Sequence, residues 1–324
     1  MLRKAFLLFL AASLVLLAPP APPPSRSFDT GRNGIWIGHQ WYTGRNVRTG
    51  RPVPAAERRA LLRRLRANGF RNIYLHAGPL LPDGSVHDLP GPEFRALLRE
   101  APDLVFLAWL GGGTHRLDLA SERFRRNTVA TAIRMRDEGF HGIHLDIEPL
   151  PDRHPGYLKL LRDLRTAMGR DFILSHATRR AGPFGFAPGW MKRWFWSERF
   201  YRDAMALTDQ TVLMAYDTTL DSELLYTGFV HHETKLLLDW GCKTPGHRVL
   251  IGIPSFEDSA VSNPKVENIP NAAHGVRAAL AGFKDAPACF EGVALYAEWV
   301  TSPGEWRQLR RSWHRGSDQV SSSP

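Results

Sequence analysis

Short apolar runs alternate with longer amphipathic segments along most of the chain. The apolar runs predict eight β-strands, because they are rich in aliphatic and aromatic residues and are bounded by Gly, Pro, Asn or Asp. These strands lie at 35–38, 73–78, 104–110, within 139–149, and at 172–177, 211–217, 249–254 and 292–299. The segments between them predict helices after residue 54, near 92–99, at 121–137, at 157–168 and around 305–313.

Apolar strands separated by amphipathic helices indicate parallel βα units. Roughly eight such units close a TIM (β/α)8 barrel, and we predict this barrel over residues 34–316. A doubly wound open sheet is the alternative, but no glycine-rich phosphate-binding loop follows the first strand. We predict a polar linker at 25–33 before the barrel and a disordered tail at 317–324 after it.

The first residues of the chain predict an export signal. Residues 1–24 combine a basic start, an apolar run at 5–18 and a proline-rich end, and the run is short for a transmembrane helix. We predict a signal peptide at 1–24, with an uncleaved N-terminal anchor as the alternative. The protein is then secreted or held in the periplasm or cell envelope, and it contacts a membrane only through an uncleaved leader.

The chain is strongly basic, with a net charge of +10 and a pI of about 10.0. The arginines are scattered over many predicted helices, which is typical of a solvated outer helix ring. An anionic polysaccharide as partner is the other interpretation. No nucleic-acid-binding motif is present. We therefore predict no nucleic-acid partner. We also predict that the protein is a monomer.

Cys242 and Cys289 are the two cysteines of the chain. They precede the seventh and eighth predicted strands, so both would lie at the N-terminal ends of neighbouring strands in the barrel. In an exported protein this arrangement predicts a disulfide bond. Two free, buried thiols are the alternative.

The fourth strand carries the strongest functional signal. Its aliphatic residues alternate with ionisable ones, so one face is apolar and the other would point into the barrel mouth. Burying unpaired ionisable groups is costly unless function requires it, and a surface strand would carry Thr, Lys or Ser instead. We therefore predict a functional site at the end of this strand. Its ionisable residues are His144, Asp146 and Glu148.

Segment 141–148 resembles the Asp-Gly-x-Asp-x-Asp-x-Glu motif of family 18 glycoside hydrolases, the chitinases and endo-N-acetylglucosaminidases. It keeps the glycine, the last aspartate and the glutamate, while His141 and His144 replace the first two aspartates. Further similarities are Met-Ala-Tyr-Asp at 214–217, Gly-Ile-Pro at 252–254, and Gly-Gly at 111–112 with Trp109 in place of the family's serine. On the eighth strand Tyr296 stands where the family usually has tryptophan, and Trp299 follows.

The resemblance implies a retaining, substrate-assisted hydrolase that acts on N-acetylhexosamine-containing polysaccharide or oligosaccharide without a cofactor. Glu148 would protonate the glycosidic oxygen and later deprotonate water, while the substrate's 2-acetamido oxygen acts as nucleophile. Asp146 would orient the acetamido group, Tyr216 would hydrogen-bond it, and Asp217 would bind a sugar hydroxyl. Candidates for an aromatic sugar platform are Trp299, Tyr296, Trp109 and Trp36.

The two histidines depart from the family's motif. His144 is expected under Asp146, where it would donate a hydrogen bond, contribute to the substrate site or, as imidazolium, hold Asp146 ionised. A structural histidine in an inactive barrel is the alternative. His141 is three residues from His144 and therefore lies on the opposite face of the strand, where we expect a structural role.

Three other functions follow from the same residues. The first is a metal site, formed by the ionisable face of the fourth strand with His76 or His176. The first strand, however, lacks the His-x-His of metal-dependent barrel hydrolases. We therefore predict no metal. A second is a glycosidase of other specificity, in which Glu148 works with Asp217 or Glu298 as nucleophile. The third is a lectin-like barrel without catalysis, which the presence of Glu148 disfavours.

Overall fold

The structure of the protein, a computed structural model, describes residues 26–182, 185–187, 192–255 and 262–314. Eight parallel strands follow one another around a closed barrel, and β8 pairs with β1 to complete it. The predicted TIM (β/α)8 barrel is confirmed. The predicted leader at 1–24 and tail at 317–324 lie outside the described residues. The strands are β1 (Asn33–Ile37), β2 (Phe70–Pro79), β3 (Val105–Gly113), β4 (Gly142–Glu148), β5 (Ile173–Thr178), β6 (Gln210–Met214), β7 (Arg248–Pro254) and β8 (Phe290–Tyr296).

Helices connect the strands on the outside of the barrel. Ser121 caps the helix that follows β3 by accepting a hydrogen bond from the Phe124 amide, and Ser302 and Glu305 form a capping box on the last one. The helices are α1 (Gln40–Thr43), α2 (Ala55–Ala67), α3 (Pro92–Glu100), α4 (Glu122–Asp137), α5 (Pro155–Met168), α6 (Glu198–Met205), α7 (Glu223–Cys242), α8 (Ile269–Leu280) and α9 (Pro303–Leu309), which a π-helical turn at Arg310–His314 extends.

The sequence pattern does not predict α6, α7 and α8. Helix α7 packs against both β7 and α8 and buries side chains on several of its sides, among them Tyr226, Thr234 and Trp240. A single apolar stripe is therefore missing from its sequence. Within the described ranges, none of the helices combines the length and apolar character that crossing a bilayer requires.

Apolar side chains fill two layers. The larger layer lies between the strands and the helices and includes fully buried strand residues such as Ile35, Leu75 and Leu145. Fully burying a side chain of this size stabilises the fold by about 1.5–3 kcal/mol. The smaller layer fills the inside of the barrel, where it forms the floor beneath the mouth, and consists of Trp36, Tyr74, Leu107, Val212, Leu250, Ala294 and Ala297.

Two features attach peripheral parts of the chain to the barrel. The sulfur atoms of Cys242 and Cys289 are bonded and their Cα atoms are 5.1 Å apart, so the predicted disulfide is present and the free-thiol alternative is wrong. In the segment predicted as a linker, Phe28 is buried in the larger apolar layer. Asp29 accepts a hydrogen bond of 2.8 Å from the Asn33 side chain, so this segment packs against the barrel.

Strand β6 ends at Met214, although the sequence pattern predicts a strand to residue 217. Asp217 has a φ of +55°, a left-handed conformation that takes the chain out of the sheet. Tyr216 and Asp217 therefore lie in the loop after β6. This loop is at the C-terminal end of the barrel, where the active sites of such barrels form.

Candidate active site

The polar face of β4 becomes more exposed along the strand. His144 is fully buried, Asp146 is partly exposed, and Glu148, the last residue of the strand, is exposed. In the register with β3, Asp146 pairs with Gly111 and Glu148 pairs with Gly113. The strand thus carries its ionisable residues from the barrel interior to the mouth, because every second residue shares one face.

Asp146 is held on one side by an indole. Trp109 Nε1 donates a hydrogen bond of 2.9 Å to Asp146 Oδ2, while Asp146 Oδ1 is buried and makes no hydrogen bond to the described part of the chain. Gly111 makes room for this contact, since a Cβ atom there would lie 3.4 Å from Trp109 Nε1 and 3.2 Å from the Asp146 carbonyl oxygen. Burial raises the pKa of Asp146, and the hydrogen bond from Trp109 opposes this rise.

The surroundings of Glu148 favour its protonated form. Protein atoms surround the carboxyl at the barrel mouth and leave one side open to solvent. This partial burial raises the pKa of Glu148, and the carboxylates of Asp146 and Asp217 raise it further. The guanidinium groups of Arg179 and Arg180 oppose the rise. A carboxyl that stays protonated to higher pH than an ordinary glutamate is suited to general acid catalysis.

Glu148 opens into a cavity of about 340 Å³, which we call the Glu148 cavity. Tyr216 and Asp217 line it from the loop after β6, so the structure brings these residues to the carboxyl that the sequence pattern places on β4. The Tyr216 ring is buried and stacks on Tyr296, with centroids 5.4 Å apart. The other lining residues are Pro149, Arg179, Arg180, Trp194 and Met214.

A second cavity of about 690 Å³ includes Trp109 and Trp299 in its wall. The rings of these tryptophans are nearly parallel, at 11° with centroids 6.2 Å apart, and Trp299 is 45% exposed. Tyr296 contacts Trp299 on one side and Tyr216 on the other. Aromatic rings therefore connect the two cavities across the mouth. Glu298, a candidate nucleophile of the alternative mechanism, lines the second cavity and not the Glu148 cavity.

Trp36 lies below this aromatic surface. Only 1% of it is exposed, because β1 turns the ring inward, where it packs against Tyr74, His144 and Tyr296. A sugar cannot stack on a ring whose faces are covered. This burial corrects the expectation that Trp36 belongs to a sugar platform.

His144 is buried and neutral. Burial lowers its pKa to about 3. Its Nδ1 lies 2.8 Å from Ser175 Oγ, its Nε2 makes no hydrogen bond to the described residues, and its ring stacks on Tyr74 with centroids 4.1 Å apart. Two expectations are corrected by this burial: His144 is not an imidazolium that holds Asp146 ionised, and it does not reach the surface to touch a substrate. His141, as expected, has a structural contact, since its Nδ1 accepts a hydrogen bond of 3.1 Å from the Phe106 amide.

Among the residues that the structure describes, no group of three or more His, Cys, Asp or Glu side chains could hold a metal ion. His176 is engaged elsewhere, with Nδ1 3.1 Å from the Tyr157 hydroxyl and Nε2 2.8 Å from the Thr211 hydroxyl. His76 lies in the wall of the second cavity, where burial lowers its pKa to about 4.

Arg179, Arg180 and Trp194 also line the Glu148 cavity, although neither the sequence pattern nor the family resemblance gives them a role. The two arginines directly follow β5. Their place at the C-terminal end of a barrel strand is the signal that identifies them from sequence. Trp194 lies in the long loop before α6, and only the tertiary structure brings it to the cavity.

No protein-family model and no curated protein matches this sequence. Solved structures do resemble its fold. The spore cortex-lytic enzyme SleL of Bacillus megaterium is 13% identical with a TM-score of 0.59, over 91% of this chain and 76% of that one. A family GH18 chitinase from Chromobacterium violaceum is 18% identical with a TM-score of 0.56, over 86% and 83%.

A chitinase from Rhizomucor miehei is 15% identical with a TM-score of 0.55, over 87% of this chain and 99% of that one. At these identities the likeness concerns the barrel fold. This chain is thus similar in its eight-stranded parallel barrel fold to two chitinases and a spore cortex-lytic enzyme.

Proposed function

We propose that this protein is a retaining glycoside hydrolase that cleaves N-acetylhexosamine-containing polysaccharide, with Glu148 as general acid and base. The observation that carries the proposal is the pair of carboxyls on β4. Burial raises the pKa of both Asp146 and Glu148, and Glu148 opens into a cavity that Tyr216 and Asp217 also line. Two neighbouring carboxyls with raised pKa values in a concave site are typical of acid–base chemistry.

In the first step, protonated Glu148 gives its proton to the glycosidic oxygen. The bond between this oxygen and the anomeric carbon breaks, and the leaving sugar departs as an alcohol. The acetamido carbonyl oxygen of the substrate attacks the anomeric carbon and closes an oxazolinium ring. In the second step, Glu148 as carboxylate takes a proton from water, and the water oxygen opens the ring on the face that the leaving group occupied. The anomeric configuration is therefore retained.

Asp146 is suited to orient the acetamido group. Its Oδ2 is engaged by Trp109, and its Oδ1 is an acceptor without a partner in the described residues. An acetamido N–H that donates to Oδ1 would satisfy this buried atom and turn the carbonyl oxygen of the acetamide towards the anomeric carbon. Because the oxazolinium is positively charged, a carboxylate at this position also stabilises it.

The remaining residues are assigned to sugar binding. Tyr216 contributes a hydrogen bond to the acetamide, and Asp217, which is exposed in the cavity, binds a sugar hydroxyl. Trp299 and Trp109 offer indole surface in the second cavity, with Tyr296 between the two cavities. The basic, apolar and proline-rich residues at 1–24 support export of the protein, and we propose that it acts as a monomer outside the cytoplasm.

The test is a comparison of N-acetylated oligosaccharides with their de-N-acetylated counterparts. We expect cleavage of the N-acetylated form only, because no protein group would replace the missing nucleophile. A thiazoline analogue of the oxazolinium should inhibit, since it resembles a species near the transition state, and proton NMR of the first product should show the retained anomer.

Efficient cleavage of a non-acetylated glycan without thiazoline inhibition would contradict the proposal and favour a protein nucleophile such as Asp217. Saccharide binding without cleavage of any substrate would favour a carbohydrate-binding barrel instead.

A further inference from the structure

Two consecutive arginines face the Glu148 cavity from the end of β5. Arg179 and Arg180 are both half-buried, and both line the cavity together with Glu148 and Asp217. Substrate-assisted hydrolysis with Glu148 as acid and base uses neither of them. A guanidinium next to a general acid even opposes it, because its positive charge lowers the pKa of Glu148. Their presence in this cavity therefore needs another explanation.

Neither arginine has a carboxylate partner within the described part of the chain. Arg179 Nη1 is buried and makes no hydrogen bond there, and Arg180 Nη2 donates at 2.7 Å to the carbonyl oxygen of Asp217, a neutral acceptor. Elsewhere the half-buried Arg125 and Arg165 each pair with an aspartate. Burial of an unpaired charge is unfavourable, so a ligand that supplies a negative charge would stabilise this pair of side chains.

An indole ring in the cavity wall packs against Arg179. The Arg179 guanidinium carbon lies 5.9 Å from the Trp194 ring centroid, and that of Arg193 lies 5.7 Å from the same ring, both within reach of a cation–π contact. The carboxylates of Asp146 and Asp217 and the guanidinium groups of Arg179 and Arg180 all act on Glu148. In the described residues, however, neither guanidinium donates a hydrogen bond to a carboxylate, so the carboxylate-binding capacity of both arginines is unused.

We propose that Arg179 and Arg180 bind a carboxylate of the sugar next to the scissile bond, so that the substrate is an acidic glycan in which N-acetylhexosamine adjoins a carboxylate-bearing sugar. This inference rests on the proposed function, because it takes Glu148 to mark the scissile bond. A carboxylate is the group that fits, since the planar fork of a guanidinium matches its two oxygens. Neutral chitin-type chains leave both arginines unpaired and bind more weakly.

The carboxylate has two chemical sources, which separate substrates distinguish. It belongs either to the ring of a uronic acid or to a lactyl ether on an amino sugar. The probes are an oligosaccharide of N-acetylglucosamine and glucuronic acid, and a peptide-free glycan of N-acetylglucosamine and N-acetylmuramic acid. Each is paired with a control in which the carboxyl is reduced to a primary alcohol, which keeps the sugar rings and the acetamido groups.

Binding is measured by calorimetry with the Glu148→Gln protein, so that the result does not depend on turnover. At least one acidic probe should bind about 10- to 100-fold more tightly than its reduced form, as expected for loss of a charge-assisted hydrogen bond. In an Arg179→Gln, Glu148→Gln protein this preference should disappear. The matched control, Arg193→Gln, removes an arginine that contacts the same tryptophan but does not line the cavity, and it should keep the preference.

Equal affinity of the acidic and reduced forms of both probes would overturn the inference, whatever the variants do. A preference that survives Arg179→Gln in a protein with an unchanged thermal melt would also overturn it. Failure of the proposed function looks different, since wild-type protein would then cleave none of the four glycans while the binding preference persists. If the Arg179 variant does not fold, the comparison of acidic and reduced probes still decides.

Discussion

The Nδ1 atom of His144 lies 2.8 Å from the hydroxyl oxygen of Ser175. The Ser175 hydroxyl donates to Gln210 Oε1, also at 2.8 Å, so its oxygen accepts the His144 Nδ1–H. Burial keeps the ring neutral, which leaves Nε2 without a proton. The residue beneath Asp146 is therefore a hydrogen-bond acceptor of fixed orientation and not a cation. The protonated nitrogen of His144 is thus assigned from the hydrogen bonds that its ring makes.

The tautomer of His144 can be read by NMR. We expect the imidazole nitrogen shifts of His144 to report protonated Nδ1 and unprotonated Nε2 from pH 5 to pH 8, with no titration in that range, because burial lowers the pKa to about 3. An Nε2–H form, or a titration near the ordinary value of 6.5, would contradict the assignment.

Ser175→Ala should destabilise the fold. The substitution leaves the buried His144 Nδ1–H without its acceptor, and an unsatisfied buried donor costs about 1–3 kcal/mol. Urea unfolding monitored by circular dichroism measures this loss. Ser312→Ala is the control, because in the described residues the partly exposed Ser312 hydroxyl bonds to the Gln308 carbonyl, and water can replace this contact. Equal stability of the two variants would argue against a structural role for the Ser175 contact.

Glu148→Gln should lower kcat by about 10²–10⁴-fold, because it removes the proton donor and keeps the size of the side chain. The thermal midpoint should stay within a degree or two of wild type, since Glu148 is exposed on one side. Glu122→Gln, which only breaks an exposed pair with Arg126, is the control and should leave kcat unchanged. Turnover by the Glu148 variant at the wild-type rate would remove Glu148 from the mechanism.

On the alkaline side, kcat/KM should fall at the pH where Glu148 loses its proton. Burial and the neighbouring carboxylates raise its pKa above the ordinary value of 4.5, so activity should persist to higher pH than an ordinary glutamate allows and fall as pH rises through the raised pKa. In Asp146→Asn the negative charge that contributes most to this rise is lost, so the pKa of Glu148 should fall and the alkaline limb should move to lower pH. If the alkaline limb does not move in Asp146→Asn, the pKa of a group other than Glu148 determines its position.

Trp109→Phe should impair catalysis through Asp146. The phenyl ring keeps much of the aromatic surface but cannot donate to Asp146 Oδ2. Because that hydrogen bond lowers the pKa of Asp146, its loss raises this pKa further and reduces the fraction of carboxylate. We expect kcat to fall by roughly 10-fold or more. Trp306→Phe is the control, since Trp306 Nε1 makes no hydrogen bond in the described chain and packs on Phe70, away from the mouth.

Removal of the disulfide should destabilise the barrel without altering the site. The bond joins residues 47 positions apart, and a loop of this size is typically worth about 2–4 kcal/mol. A double Cys242→Ser, Cys289→Ser variant should show this loss in urea unfolding while kcat/KM at 25 °C stays at the wild-type level. Free thiols in the non-reduced, unfolded wild-type protein would contradict the bond itself.

The barrel follows from sequence because its signals are local. The apolar run of each strand, helix caps such as Ser121 and glycine at strand ends all act between residues that are close in the chain. In β4, alternation of aliphatic and ionisable residues also places His144, Asp146 and Glu148 on one face. The sequence pattern does not predict helix α7, because this helix packs against both β7 and α8. Its buried residues therefore do not form the single apolar stripe by which an amphipathic helix is recognised.

The sequence by itself therefore determined the eight-stranded barrel and the carboxyl pair at the end of β4. Only the tertiary structure decided which distant side chains meet them: Trp109 on Asp146, Ser175 on His144, and Arg179 beside Glu148. It also decided that Trp36 lies beneath the mouth and that His144 is neutral. Burial and charge act through space. The pKa of each carboxyl therefore depends on residues that are far apart in the sequence, whereas the local sequence pattern predicts only the position of the carboxyl on its strand.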